Sequence, residues 1–175
     1  MKKFFKLLIF GHLFIWLSIN IPFDILPNFV GWILIVAALE KVKAISAKRA
    51  SPFAILLCIL SFIRLWLPMQ EIMYVPTFIS LAEQFLTIIF YYFLFEILRD
   101  VATSLNEQSY TEKLRICFFI MQFGGFIGTA TLIHTPLDIQ NILIAVMAMY
   151  SFCIMFWFTI YLIRTGSRMD NLYAI

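Results

Sequence analysis

Ile21-Pro22-Phe23-Asp24-Ile25-Leu26-Pro27-Asn28-Phe29-Val30-Gly31-Trp32 sets two prolines, a carboxylate and an amide between two long apolar runs. Proline suits the first turn of a helix, where its missing N–H costs no hydrogen bond, and an acidic group suits the positive end of the helix dipole. The stretch therefore reads as a tight hairpin that ends one apolar helix and opens the next. The same pattern outward along the chain decides the fold class. Of 175 residues, 63% are hydrophobic and only 13% charged, with a mean hydropathy of +0.95. Soluble domains carry about 25% charged residues. This composition predicts an all-α membrane protein, folded as one transmembrane helical domain over residues 1–175.

Met1-Lys2-Lys3 ahead of the apolar run Phe4 to Ile21 has the basic start and apolar centre of a secretory signal, but no A-x-A-like cleavage site follows. An uncleaved first helix is expected. Six transmembrane helices in three hairpins result, over about 4–21, 25–41, 52–67, 74–98, 114–133 and 137–163. Pro52 is placed in the first turn of the third, after the basic link Ser46 to Ser51. Residues 101–113, the most polar stretch, are expected to form an extended loop. Only six glycines against twenty phenylalanines predict packing by bulky side chains rather than close backbone contact. Cys58, Cys117 and Cys153 fall in apolar runs without a C-x-x-C and read as apolar fillers.

Orientation follows from the basic residues, which concentrate on the cytoplasmic side of membrane proteins. Lys2, Lys3, Lys6, Lys41, Lys43, Lys48, Arg49, Arg99, Lys113, Arg115, Arg164 and Arg168 all fall on the side of the N-terminus under this division. The outer turns hold none. Twelve of the thirteen Lys and Arg residues thus predict a cell-membrane protein with both termini cytoplasmic. The thirteenth, Arg64, lies inside a span.

Pro22-x-Asp24-Ile25 and Pro136-x-Asp138-Ile139 share a pattern that Pro68-x-x-Glu71-Ile72 approaches. Triplication and the independent recurrence of good helix starts are both open readings; the unequal spacings favour the second. The segment Asp24-Ile25-Leu26-Pro27-Asn28-Phe29-Val30-Gly31-Trp32-Ile33-Leu34-Ile35 resembles one found in uncharacterised small bacterial multi-pass membrane proteins of Gram-positive type, D-I-L-P-[DN]-F-[IV]-G-[YW]. Asn28 stands where that segment carries a second Asp, and Trp32 where it carries Tyr. The resemblance implies a multi-pass bacterial membrane protein and supplies no activity. The six-helix layout is also similar to that of vitamin-uptake substrate-binding subunits, an analogy of architecture alone.

Intramembrane polar residues are the candidates for function, because each is costly to place in lipid. Arg64 lies four residues before Pro68, about 6 Å from the outer boundary by the helical rise. Glu83 falls near the midplane of the fourth span with Gln84 beside it. Arg64 and Glu83 are the expected pair, with Asp24, Gln84 and Asn28 as further candidates for a ligand- or ion-binding group. Two readings stay open: a structural ion pair, or a polar site in a solute path. Asp24, Glu71 and Asp138 form a candidate acidic outer mouth that would concentrate cations. Gly124 and Gly128 make a G-x-x-x-G in the fifth span, expected to pack within the bundle, with homodimerisation as the alternative.

No H-E-x-x-H, glycine-rich phosphate loop or nucleophile–base pair is present, so no enzymatic motif is found. His12 and His134 lack metal-ligand spacing, no cofactor is implied, and no basic stripe interleaved with aromatics suggests nucleic acid. The expected partners are the lipid bilayer and a membrane-protein partner or a second copy. Two functions remain: transport or binding of a solute or ion, and a non-catalytic accessory, regulatory or immunity role through helix contacts.

Overall fold

The computed structural model describes residues 1–16, 28–66, 75–132 and 137–172. Asp24, Glu71 and most of the hairpin stretch that begins at Ile21 lie outside these residues, as do two of the three outer turns in full. The described residues form six α-helices and no strand: α1 (Lys2–Trp16), α2 (Asn28–Leu39), α3 (Ile45–Trp66), α4 (Val75–Ser104), α5 (Gln108–Leu132) and α6 (Leu137–Leu172). Each helix packs on its neighbours in the chain, and α6 returns to α1, so the six close into a ring. Among the described residues, two segments, Ile45–Arg64 of α3 and Ile79–Ser104 of α4, are long and apolar enough to cross a membrane; α2 is apolar but shorter.

Several helices extend beyond the apolar runs from which the sequence predicts them, and the reason is the spacing of their packed residues. In α3, Ala47, Ala50, Ala54 and Leu57 are buried at helical intervals, so the link expected at Ser46 to Ser51 is helix and Pro52 lies inside it. Proline removes the hydrogen bond to the carbonyl four residues back and crowds it. That carbonyl belongs to Lys48, which is exposed, as is Pro52 itself, so water can serve the lost bond. Ser46 Oγ also donates to Glu96 Oε2 at 3.0 Å, tying this first turn to the far part of α4.

The extended loop expected over residues 101–113 is likewise replaced by helix. Val101 and Ala102 continue the buried stripe of Phe90, Leu94 and Leu98, while Thr111, Leu114, Phe118 and Met121 begin that of α5. Only Leu105 to Glu107 separate the two helices. Asn106 takes the left-handed conformation, with φ of 55°, which asparagine tolerates better than other side chains. Its N–H bonds the Thr103 carbonyl at 3.3 Å and the next N–H, of Glu107, bonds that of Ala102 at 2.9 Å. This is a Schellman stop. The Glu107 carbonyl then accepts from Thr111 N–H at 3.2 Å in the first turn of α5.

Helices α1 and α2 meet backbone to backbone through glycine, where the sequence predicts packing mainly by bulky side chains. A Cβ on Gly11 would stand 2.7 Å from the Gly31 carbonyl oxygen, and one on Gly31 would stand 2.6 Å from that of Gly11. Gly124 differs: nothing lies within 4 Å of where its Cβ would be, so the expected packing role inside the bundle does not hold for it. Gly128 is buried.

Aromatic rings fill the middle of the ring of helices. Tyr91 of α4 is fully buried among Phe90, Phe118 and Phe158, with centroid distances of 5.2, 4.3 and 5.8 Å. Its hydroxyl shares a hydrogen bond of 2.8 Å with Nδ1 of buried His12, so α1 is joined to α4 across the interior.

Two stability outcomes follow. Gly11→Ala should destabilise the purified protein by about 1–3 kcal/mol, because its clash is with backbone, whereas Gly124→Ala should leave its thermal unfolding unchanged or raised. Tyr91→Phe should cost about 1–3 kcal/mol by leaving His12 Nδ1 unpaired, and adding His12→Ala should cost less than the sum of the single changes. Thermal unfolding in one detergent reads Gly11→Ala, Gly124→Ala and the three variants of the Tyr91–His12 cycle.

Candidate functional site

Polar residues inside apolar helices gather where they share a helical face. On α4, Ser80, Glu83, Gln84 and Thr87 follow the i, i+3, i+4, i+7 pattern of one face. Leu57, Ser61 and Arg64 repeat it on α3, and Asn28 and Trp32 are one turn apart on α2. These three faces, with Ile15 of α1, line one half-open cleft of about 340 Å³. Its volume lies at the small end of the roughly 300–1,000 Å³ of ligand pockets.

Arg64 Nη1 donates to Glu83 Oε2 at 3.0 Å, joining α3 to α4 at the cleft. The side chains are 44% and 15% exposed, so the arginine reaches outward while the carboxylate is the more enclosed partner. Glu83 Oε1 and Asn28 Oδ1 are both buried and have no hydrogen-bond partner among the described residues. A buried acceptor without a donor is costly, and such an atom at a cleft is where a ligand's N–H or O–H is best received. The guanidinium keeps donor capacity beyond the one bond to Glu83, since it carries five N–H groups. The wall thus offers acceptors, donors and hydroxyls of both kinds, with Trp32 and Leu57 as apolar surface.

Arg64, Glu83, Gln84 and Asn28 therefore meet on one cleft. Asp24 and Glu71 lie outside the described residues, and Asp138 is in the first turn of α6 with no side-chain position described, so the acidic outer mouth has no geometry to report. Ser61, Ser80 and Thr87 were not singled out from the sequence; their signal was the 3.6-residue period of polar groups within an apolar run. Among the described residues no group of three or more His, Cys, Asp or Glu is placed to hold a metal ion.

A second polar arrangement, also missed from the sequence, closes the opposite end. Glu107 accepts from Arg164 Nη2 at 2.7 Å and from Arg168 Nη1, one turn further along α6. Its side chain is 10% exposed. Thr111 Oγ1 and the Tyr161 hydroxyl are 2.8 Å apart, and Trp157 Nε1 donates to the Tyr110 hydroxyl, so hydrogen bonds accompany the ring contacts between α5 and α6 at this end. The two arginines had entered only as markers of orientation, because nothing near Glu107 in the sequence announces that α6 returns to it.

No protein-family model, curated protein or solved structure matches this chain. Its chemistry is read from its own residues.

Proposed function

We propose that this chain is a six-span cell-membrane protein, with both termini in the cytoplasm, that binds and carries a small polar solute through the cleft between α2, α3 and α4. Two kinds of observation support the membrane part. Large apolar side chains face outward from every helix, among them Phe10, Ile33, Ile59, Phe85, Ile120 and Phe156, each about half exposed or more. Large apolar side chains exposed on all six helices suit lipid rather than water. The antiparallel course of the helices also gathers Lys2, Lys6, Lys41, Lys43, Arg99, Arg164 and Arg168 at one end, in agreement with the positive-inside rule.

The observation that carries the solute part is the pair of buried, unpartnered acceptors, Glu83 Oε1 and Asn28 Oδ1, on the cleft that Arg64 also lines. An ion pair serving only to join α3 and α4 needs no such acceptors and no stripe of hydroxyls beside it. The cleft lies toward the bundle end away from the basic residues, near the outer boundary under this topology. It suits a small solute bearing N–H or O–H donors, neutral or carrying a positive group toward Glu83. Substrates of this kind fit an uptake protein open to the outside. Binding to a protein partner through helix faces has no comparable polar feature behind it.

Reconstituted protein is expected to bind or move at least one solute from a panel of small amines, amino acids and polyols. Glu83→Gln and Arg64→Ala should each weaken this by about tenfold or more, the equivalent of one lost charged hydrogen bond, with unfolding temperature largely retained. Wild-type behaviour of both variants with every solute would remove these residues from any transport role. Topology has its own test. In a background with Cys58, Cys117 and Cys153 replaced by Ala, Lys43→Cys should react with a membrane-impermeant thiol reagent only in inverted vesicles, and Asp138→Cys only in intact cells.

A further inference from the structure

A separate cleft of about 210 Å³ runs between α1 and α6 at the basic end. Gly166 sets its depth. A Cβ there would stand 3.0 Å from Phe5 Cβ and 3.1 Å from Phe5 Cγ, so α1 seats directly on the α6 backbone and Phe5 becomes the floor beside it. Along the cleft the lining changes character with depth. Lys2 and Lys6, one turn apart on α1, and Ser167 on α6 line the part nearest the helix ends. Ile9 and Ile163 line the part nearer the bundle centre, and Ile163 is 53% exposed. Lys2 to Ile9 spans about 10 Å along α1. None of the described residues that line the cleft is acidic.

We propose that this cleft binds an anionic phospholipid of the cytoplasmic leaflet, with the phosphate held by Lys2, Lys6 and the Ser167 hydroxyl and the start of an acyl chain lying along Ile9 and Ile163. Two ammonium groups on one turn supply charge-assisted donors to phosphate oxygens. Basic pockets between membrane helices on the cytoplasmic side take lipid head groups for this reason. A free phosphate compound would share the lysine contacts but has no use for the isoleucine half of the cleft, which continues outward to exposed apolar surface. The gradient from cationic to apolar runs in the direction that a lipid's own polarity runs at a membrane surface. The assignment rests on the membrane reading above and is independent of the solute cleft.

The experiment compares lipids retained by the full chain in native mass spectrometry after purification in neutral detergent with phosphatidylglycerol or phosphatidylcholine. Wild type should retain phosphatidylglycerol over phosphatidylcholine by about tenfold or more, as two lysine–phosphate contacts would provide. Lys2→Gln/Lys6→Gln should abolish the preference. Lys41→Gln/Lys43→Gln, which removes the same charge from the α2–α3 turn at the same end, should keep it. Ile163→Asn should weaken retention with the lysines intact. Equal loss in both lysine pairs would reduce the effect to diffuse surface charge and overturn the site. Protection against thermal unfolding by inorganic phosphate equal to that by phosphatidylglycerol would overturn the lipid assignment in favour of a soluble anion. A chain that never fractionates with membranes would instead sink the membrane reading, whereas no preference between the two lipids sinks only this site.

Discussion

The crossing of α1 and α2 at Gly11 and Gly31 is the constraint on which the arrangement depends. Each glycine lies where a Cβ would come within 2.7 Å of the other's carbonyl oxygen, so the two backbones approach too closely for any side chain between them. With α1 drawn against α2 in this way, its remaining faces are free to meet the rest of the ring. One carries Phe5 onto Gly166 of α6, and another carries His12 to Tyr91 of α4. The crossing also brings Ile15 beside Asn28 and Trp32 at the mouth of the polar cleft. Few glycines are needed when two of them are opposite each other.

The two ends of the bundle are built differently. At the basic end, hydrogen bonds and ion pairs close the structure: Ser46 with Glu96 between α3 and α4, and Glu107 with Arg164 and Arg168 between the α4–α5 turn and α6. Glu107 is held there by a three-residue turn that Asn106 can make because its φ is 55°. Toward the other end, polar groups line a cleft instead of sealing the helices together, and Arg64 with Glu83 is both a link from α3 to α4 and part of the wall. Between the ends lies a core of interlocked rings, where a hydrogen bond between His12 and Tyr91 joins α1 to α4 across the interior.

Helix ends were misplaced where hydropathy was read instead of packing. Ala47 and Ala50 look like part of a polar link, yet they are buried because small side chains at helical spacing let α3 approach its neighbours. Val101 and Thr111 sit in the most polar stretch of the chain and are buried for the same reason of period. An apolar run reports where lipid or core surface is abundant; the last packed residue reports where a helix can stop. The polar cleft was half legible. Arg64 and Glu83 stood out as isolated charges in apolar runs, while Ser61, Ser80 and Thr87 are unremarkable singly and become a face only when the helical period is applied to polar residues.

What the sequence determined by itself is the class of structure and the order of its parts: apolar runs of helix length, separated by prolines and charges, leave all-α folding as the outcome. Which helices touch was a tertiary matter. The meeting of Gly11 with Gly31, the capture of Arg164 and Arg168 by Glu107, and the convergence of Asn28, Arg64 and Glu83 on one cleft all join residues 19 to 61 positions apart. Such contacts depend on how each helix is rotated about its axis, and that rotation is chosen by the packing of all six together.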